Sequence, residues 1–76
     1  MYRYLVNFEQ GPTSWGAYVP DLPGCVAVGD TRAEVERDIR TALEMHLQGM
    51  LDDHDPIPSA TSSAEVVEVS LSHPVA

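Results

Sequence analysis

Apolar and polar side chains alternate from the start of the chain. Tyr2, Tyr4, Val6 and Phe8 fall on one side and Arg3, Leu5, Asn7 and Glu9 on the other. This is the two-residue period of a half-buried strand, so a first strand is predicted over residues 2–9. Gln10-Gly11-Pro12-Thr13-Ser14 is turn chemistry, since glycine permits positive φ and proline fixes φ and lacks an N–H. A hairpin follows, with a second strand over Trp15–Val19. It is closed by Pro20-Asp21-Leu22-Pro23-Gly24, whose two prolines forbid a regular ladder, and Cys25–Val28 makes a short third strand.

The period then changes. Thr31, with Glu34 three residues on, has the form of a capping box that satisfies free backbone N–H groups, so a helix is predicted from Arg32. Val35, Ile39, Ala42, Leu43, His46, Leu47 and Met50 recur at steps of three and four, with Glu34, Arg37, Asp38, Thr41 and Glu44 largely opposite. The helix should stop near Asp52. Asp53-His54-Asp55-Pro56-Ile57-Pro58 places acids where the helix dipole disfavours them, and then prolines that cannot continue it. Ser59–Ser63 is a polar connector. Glu65–Leu71 alternates once more, Val67, Val69 and Leu71 against Val66, Glu68 and Ser70, and predicts a fourth strand; the tail should fray from Ser72.

The predicted order is βββαβ, an α+β domain with one mixed sheet and a single amphipathic helix on one face. A right-handed crossover would set strand four parallel to strand three, most simply beside strand one. One helix, about 10–12 Å wide, cannot cover four strands spaced about 4.8 Å apart. One sheet face therefore stays bare. It presents some of Leu5, Trp15, Tyr18, Val26, Val28 and Val66, the residues expected at an oligomer interface.

Composition bears on stability and partners. Residues 1–76 make a single small domain, whose core is marginal without a disulfide, a metal or oligomerisation. A lone cysteine, Cys25, allows neither an internal disulfide nor a Cys-based zinc site. A homodimer or larger even assembly is the remaining staple. With 12 acidic and 4 basic residues, no lysine and a net charge of −8, the chain is a poor binder of nucleic acid by itself and a good one for a basic partner. No apolar run reaches the roughly 18 residues of a membrane span, and Met1 leads directly into the first strand pattern. A cytoplasmic protein is expected, with no membrane association.

The stretch WGAYVPDLPGCVAVGDT, Trp15–Thr31, followed by the capped helix and the Asp55-Pro56-Ile57-Pro58 turn, resembles the HicB family of antitoxins. The opening Tyr/Val strand, the PDLPGC turn, the GDT helix start, the acidic helix end, and the DPIP turn before a Val/Glu strand carry the resemblance over nearly the whole chain. It implies a partial, degraded RNase H-like fold. It also implies a partner, the HicA toxin, a small messenger-RNA-cleaving ribonuclease with a fold like a double-stranded-RNA-binding domain. Family members commonly add a C-terminal DNA-binding domain for the operator; none is expected in this chain, which ends at Ala76.

The candidate sites divide by chemistry. An RNase H-like nuclease holds two divalent cations between carboxylates of a central strand, the helix and a later strand. Here strand one offers Asn7 and only a terminal Glu9, with Glu34 and Asp38 on the helix and Glu68 on the last strand, so no catalytic residue is assigned. Asp52, Asp53 and Asp55 around His54 lack the glycine-centred loop of a calcium site, so neither metal nor cofactor is expected. His46 lies in the apolar stripe and reads as a partly buried imidazole with one hydrogen-bond partner. Cys25, among apolar neighbours, reads as an inert packed thiol.

Partner contact is assigned to Trp15, Tyr18, Pro20, Asp21, Leu22, Pro23 and Gly24 as a rigid aromatic anchor, with Asp52, Asp53 and Asp55 as a steering field. The function expected is that of a non-enzymatic HicB-like antitoxin that neutralises a HicA-like basic ribonuclease by protein–protein contact. The alternatives are a residual RNase H-like metal-dependent nuclease and an orphan homo-oligomeric scaffold without a toxin.

Overall fold

In the computed structural model, which describes residues 1–72, three short strands form an antiparallel sheet under one long helix. The elements are β1 (Asn7–Gln10), β2 (Trp15–Tyr18), β3 (Val26–Gly29) and α1 (Arg32–Asp52). The sheet order is β1-β2-β3, with Asn7 opposite Tyr18 and Gln10 opposite Trp15 on one side of β2. On its other side Trp15 faces Gly29 and Tyr18 faces Val26. The α+β class is as expected.

Two strand expectations need correction. Residues 2–6 carry the strand period, yet pairing begins only at Asn7, because β2 ends at Tyr18 and the chain then turns away at Val19-Pro20. Alternation marks residues that can line a sheet, whereas a ladder also needs a neighbour. The same reason removes the fourth strand: Glu65–Leu71 has no strand partner, so among the described residues the sheet is wholly antiparallel rather than mixed and no crossover closes it. Val66 is 93% exposed, and Val67, Val69 and Leu71 are exposed with it. Of the tail expected to fray, all but Ser72 lies outside the described residues.

Helix α1 has the bounds that its flanking residues dictate. The Glu34 N–H donates to Thr31 Oγ1 at 3.2 Å, while Glu34 Oε2 accepts from the Asp30 N–H at 3.2 Å, so the box closes one residue earlier than its usual form. Gly29 is where the helix start meets the sheet: a Cβ there would lie 3.1 Å from Val35 Cγ2. At the other end the Asp55 N–H bonds the Met50 carbonyl and the His54 N–H that of Leu51, a Schellman motif with His54 at φ 57°. Because that left-handed position favours glycine, His54→Gly should stabilise the fold by about 1 kcal/mol, read as a higher urea midpoint. An unchanged midpoint would show that the helix end is not formed as described.

The core is small. Val35 and Ile39 of α1 press on Ala17, Val19, Leu22 and Cys25, with Tyr4, Val6, Phe8, Trp15, Ala27, Ala42, Leu43, Leu47 and Met50 packed around them. The helix lies mainly across β2 and β3, leaving β1 at the open side. Among the described residues no helix is long and apolar enough to cross a membrane.

Candidate partner-binding surface

The bare sheet face follows from the register. Trp15 and Ala17 point to the helix side, and Gly16 and Tyr18 point away, in line with Val28 and Val26 on β3. Tyr18, Val26 and Val28 are 39%, 58% and 73% exposed and form an apolar strip on the uncovered face. Trp15, expected on that strip, is half-buried against the core instead. Leu5 is half-buried beside residues 60–64, and Val66 stands exposed on the detached segment.

The turn expected to meet a partner is largely committed to the molecule itself. Leu22 is 1% exposed and is one of the two largest fully buried side chains, so its assignment to the partner surface is corrected. The turn folds inward through backbone bonds from the Leu22 N–H to the Val19 carbonyl, from Cys25 to Leu22 and from Val19 to Cys25, each 3.1 Å. Gly24, at φ 88°, supplies the left-handed residue that this path requires, and only Pro23 and Gly24 stand exposed. Cys25 is buried, and that burial pushes its thiol pKa up, in keeping with a packed, unreactive cysteine.

Asp21 has an internal role. Its carboxylate accepts the Thr61 and Ser62 N–H groups at 3.0 Å each and their hydroxyls at 3.1 and 2.9 Å. The Tyr4 hydroxyl donates to the Pro58 carbonyl. Together these bonds tie the returning chain to the turn and to the first residues. The Ser62 N–H, then the hydroxyls of Ser62 and Thr61 and the Thr61 N–H, hold the Asp21 carboxyl below its ordinary pKa, against an opposing push from burial. A depressed carboxyl contributes stability above its unfolded value, and that contribution is lost as pH falls through the folded one. Thr61 and Ser62 should therefore loosen from Asp21 as the pH falls below the ordinary carboxylate value of about 4, seen as movement of their amide resonances; amides that do not move as the carboxylate protonates would contradict the clamp.

Asp52, Asp53 and Asp55 are exposed at the helix C-terminus, where no basic residue occupies the last turn. Gln48 donates to Asp52 at 2.9 Å. Among the described residues no cation pairs with the group, which forms a negative patch. Glu34 caps the helix and Glu68 lies on the detached segment, and among the described residues no three His, Cys, Asp or Glu side chains gather to hold a metal ion. His46 is half-buried, and among the described residues no hydrogen bond reaches its ring. Sequence reasoning missed the Asp21 clamp because it joins residues some forty positions apart; an aspartate in a turn and a Thr-Ser-Ser connector carry no local sign of each other.

The geometry defines a small α+β protein with an open three-stranded sheet, a bare apolar strip and an acidic helix end. The chain belongs to the HicB-like antitoxin family of bacterial toxin–antitoxin systems, whose family model matches residues 2–72. It is 35% identical to Antitoxin HicB 2 of Photorhabdus laumondii, over 92% of this chain and 51% of that protein. It is 29% identical to an uncharacterised 14.9 kDa protein of Haemophilus phage HP1, over 92% of this chain and 62% of that one. The chain thus spans about half to three-fifths of the length of these relatives. A solved structure described as the HicA3 and HicB3 toxin–antitoxin complex shares the fold, with a TM-score of 0.65 over 79% of this chain and 70% of that one at 23% identity.

Proposed function

We propose that the chain is an antitoxin that binds and neutralises a HicA-type ribonuclease toxin by protein–protein contact, without chemistry of its own. The observation that carries this reading is the joint presence of a bare apolar strip, Tyr18, Val26 and Val28, and an exposed acidic helix end with no basic residue in its last turn, on a chain of net charge −8. A protein that grips RNA presents positive potential. An acidic partner imitates the phosphate charge and speeds encounter, while a shaped apolar strip with the rigid Pro20, Pro23 and Gly24 beside it slows release. Tyr18 takes the place of Trp15 as the aromatic anchor, since Trp15 is engaged with the core. Asp52, Asp53 and Asp55 supply the steering field.

The same reading includes a cytoplasmic protein that works as a homodimer or larger even assembly, as the small core and the exposed apolar segments favour. The test is association with a basic HicA-type toxin followed by sedimentation. A complex that forms at low salt and weakens as salt rises supports the proposal; no complex at either salt overturns it.

A further inference from the structure

We infer that residues 65–71 of one chain add as a strand to the free edge of β1 in a second copy, the two chains exchanging this segment reciprocally. The inference rests on the paired-chain part of the reading above and is independent of toxin binding. Its starting point is a segment with strand chemistry and no sheet. Glu65–Leu71 alternates, carries four exposed apolar side chains, and leaves the body of the molecule. The radius of gyration is 16.7 Å, against about 11 Å for a compact chain of this length.

A matching receptor lies on the opposite side of β1. Because the helix covers β2 and β3, an open groove of about 380 Å³ lies between residues 2–8, which lead into β1, and the helix, floored by Tyr4, Val6, Phe8, Ile39 and Leu43. Arg3 and Arg40, two of the four cations in the chain, line it together with Glu36, so cations outnumber carboxylates there by two to one. The incoming segment has the same length as residues 2–8, the same two-residue period and two glutamates. Val67, Val69 and Leu71 would fill the groove with Glu65 toward Arg40, and Val66 and Glu68 would lie toward Leu5, with Glu68 within reach of Arg3 at the groove's margin. Edge addition would also satisfy the backbone groups that residues 2–6 leave without a ladder.

The chain cannot fill its own groove. Thr61 and Ser62 are clamped to Asp21, which follows β2, so the returning chain lies on the β2 side of residues 1–5. From Ser62 to Glu65 the backbone spans at most about 11 Å. Reaching the outer edge means covering two strand spacings, about 9.6 Å, and also climbing over the side chains of residues 3–5. A second copy has no such tether, and reciprocal exchange gives a closed twofold dimer rather than a fibre.

Sedimentation of the full chain tests this with paired charge swaps. A dimer is expected for the parent. Arg3→Glu with Arg40→Glu, and Glu65→Arg with Glu68→Arg, should each raise the dimer dissociation constant about tenfold or more, and mixing the two variants should restore a heterodimer. Val67→Asp with Val69→Asp should abolish the dimer while leaving the helical circular dichroism signal unchanged, because both side chains are exposed in the single chain. A monomeric parent at high micromolar concentration would overturn both the pairing and the exchange. A dimer that survives Val67→Asp with Val69→Asp but is lost in Val26→Asp with Val28→Asp would overturn the exchange alone and place the interface on the bare face.

Discussion

Leu22→Ala should lower stability by about 3 kcal/mol and the Tm by roughly 12–24 °C. The side chain is 1% exposed and sits in a core that has few other large members, so its removal leaves a cavity with little around it able to collapse. The whole stability of a domain this size is only about 4–11 kcal/mol, so such a loss removes roughly a quarter to three quarters of it. Val28→Ala on the bare strip provides the comparison, since a 73% exposed side chain should change stability by no more than about 0.5 kcal/mol. A Leu22→Ala protein that melts with the parent would return this residue to the surface and break the account of the turn.

That residue also marks what the sequence concealed. Pro20-Asp21-Leu22-Pro23-Gly24 reads as an exposed loop because proline and glycine are turn residues, yet the single apolar side chain among them points inward to Val35 and Ile39. The helix was legible at both ends, since Thr31, Glu34 and the Asp-His-Asp-Pro run act within a turn or two of the positions they determine. The central parts of the three paired strands were legible for the same reason: period and turn chemistry are local. Residues 2–6 and 65–71 carry an equally clear period, but strand formation depends on a neighbour that the pattern does not name. Of the residues assigned to the partner surface, the acidic helix end and Tyr18 stand exposed, as do Val26 and Val28 of those assigned to an oligomer interface, whereas Leu22 and Asp21 are taken up by contacts distant in sequence.

Substitutions on the proposed toxin surface should separate shape from charge. Tyr18→Ala combined with Val28→Asp should weaken toxin binding by about 2 kcal/mol or more, roughly thirtyfold, chiefly through faster dissociation, if the strip is the desolvated centre of the interface. Replacing Asp52, Asp53 and Asp55 with asparagine should instead slow association and flatten its dependence on salt, leaving dissociation nearly unchanged, as rim charges do. Stopped-flow association at several salt concentrations distinguishes the two effects, with circular dichroism confirming that each variant is folded. Equal loss of affinity from both sets, with no salt dependence, would mean that charge does not steer this encounter.

The central claim is neutralisation, and it is tested most directly by titrating the purified, folded chain into RNA cleavage by a HicA-type toxin. Cleavage should fall in proportion to added chain and cease near equivalence, and the Tyr18→Ala, Val28→Asp protein should require a marked excess. Undiminished cleavage in the presence of saturating, folded chain would contradict the antitoxin reading.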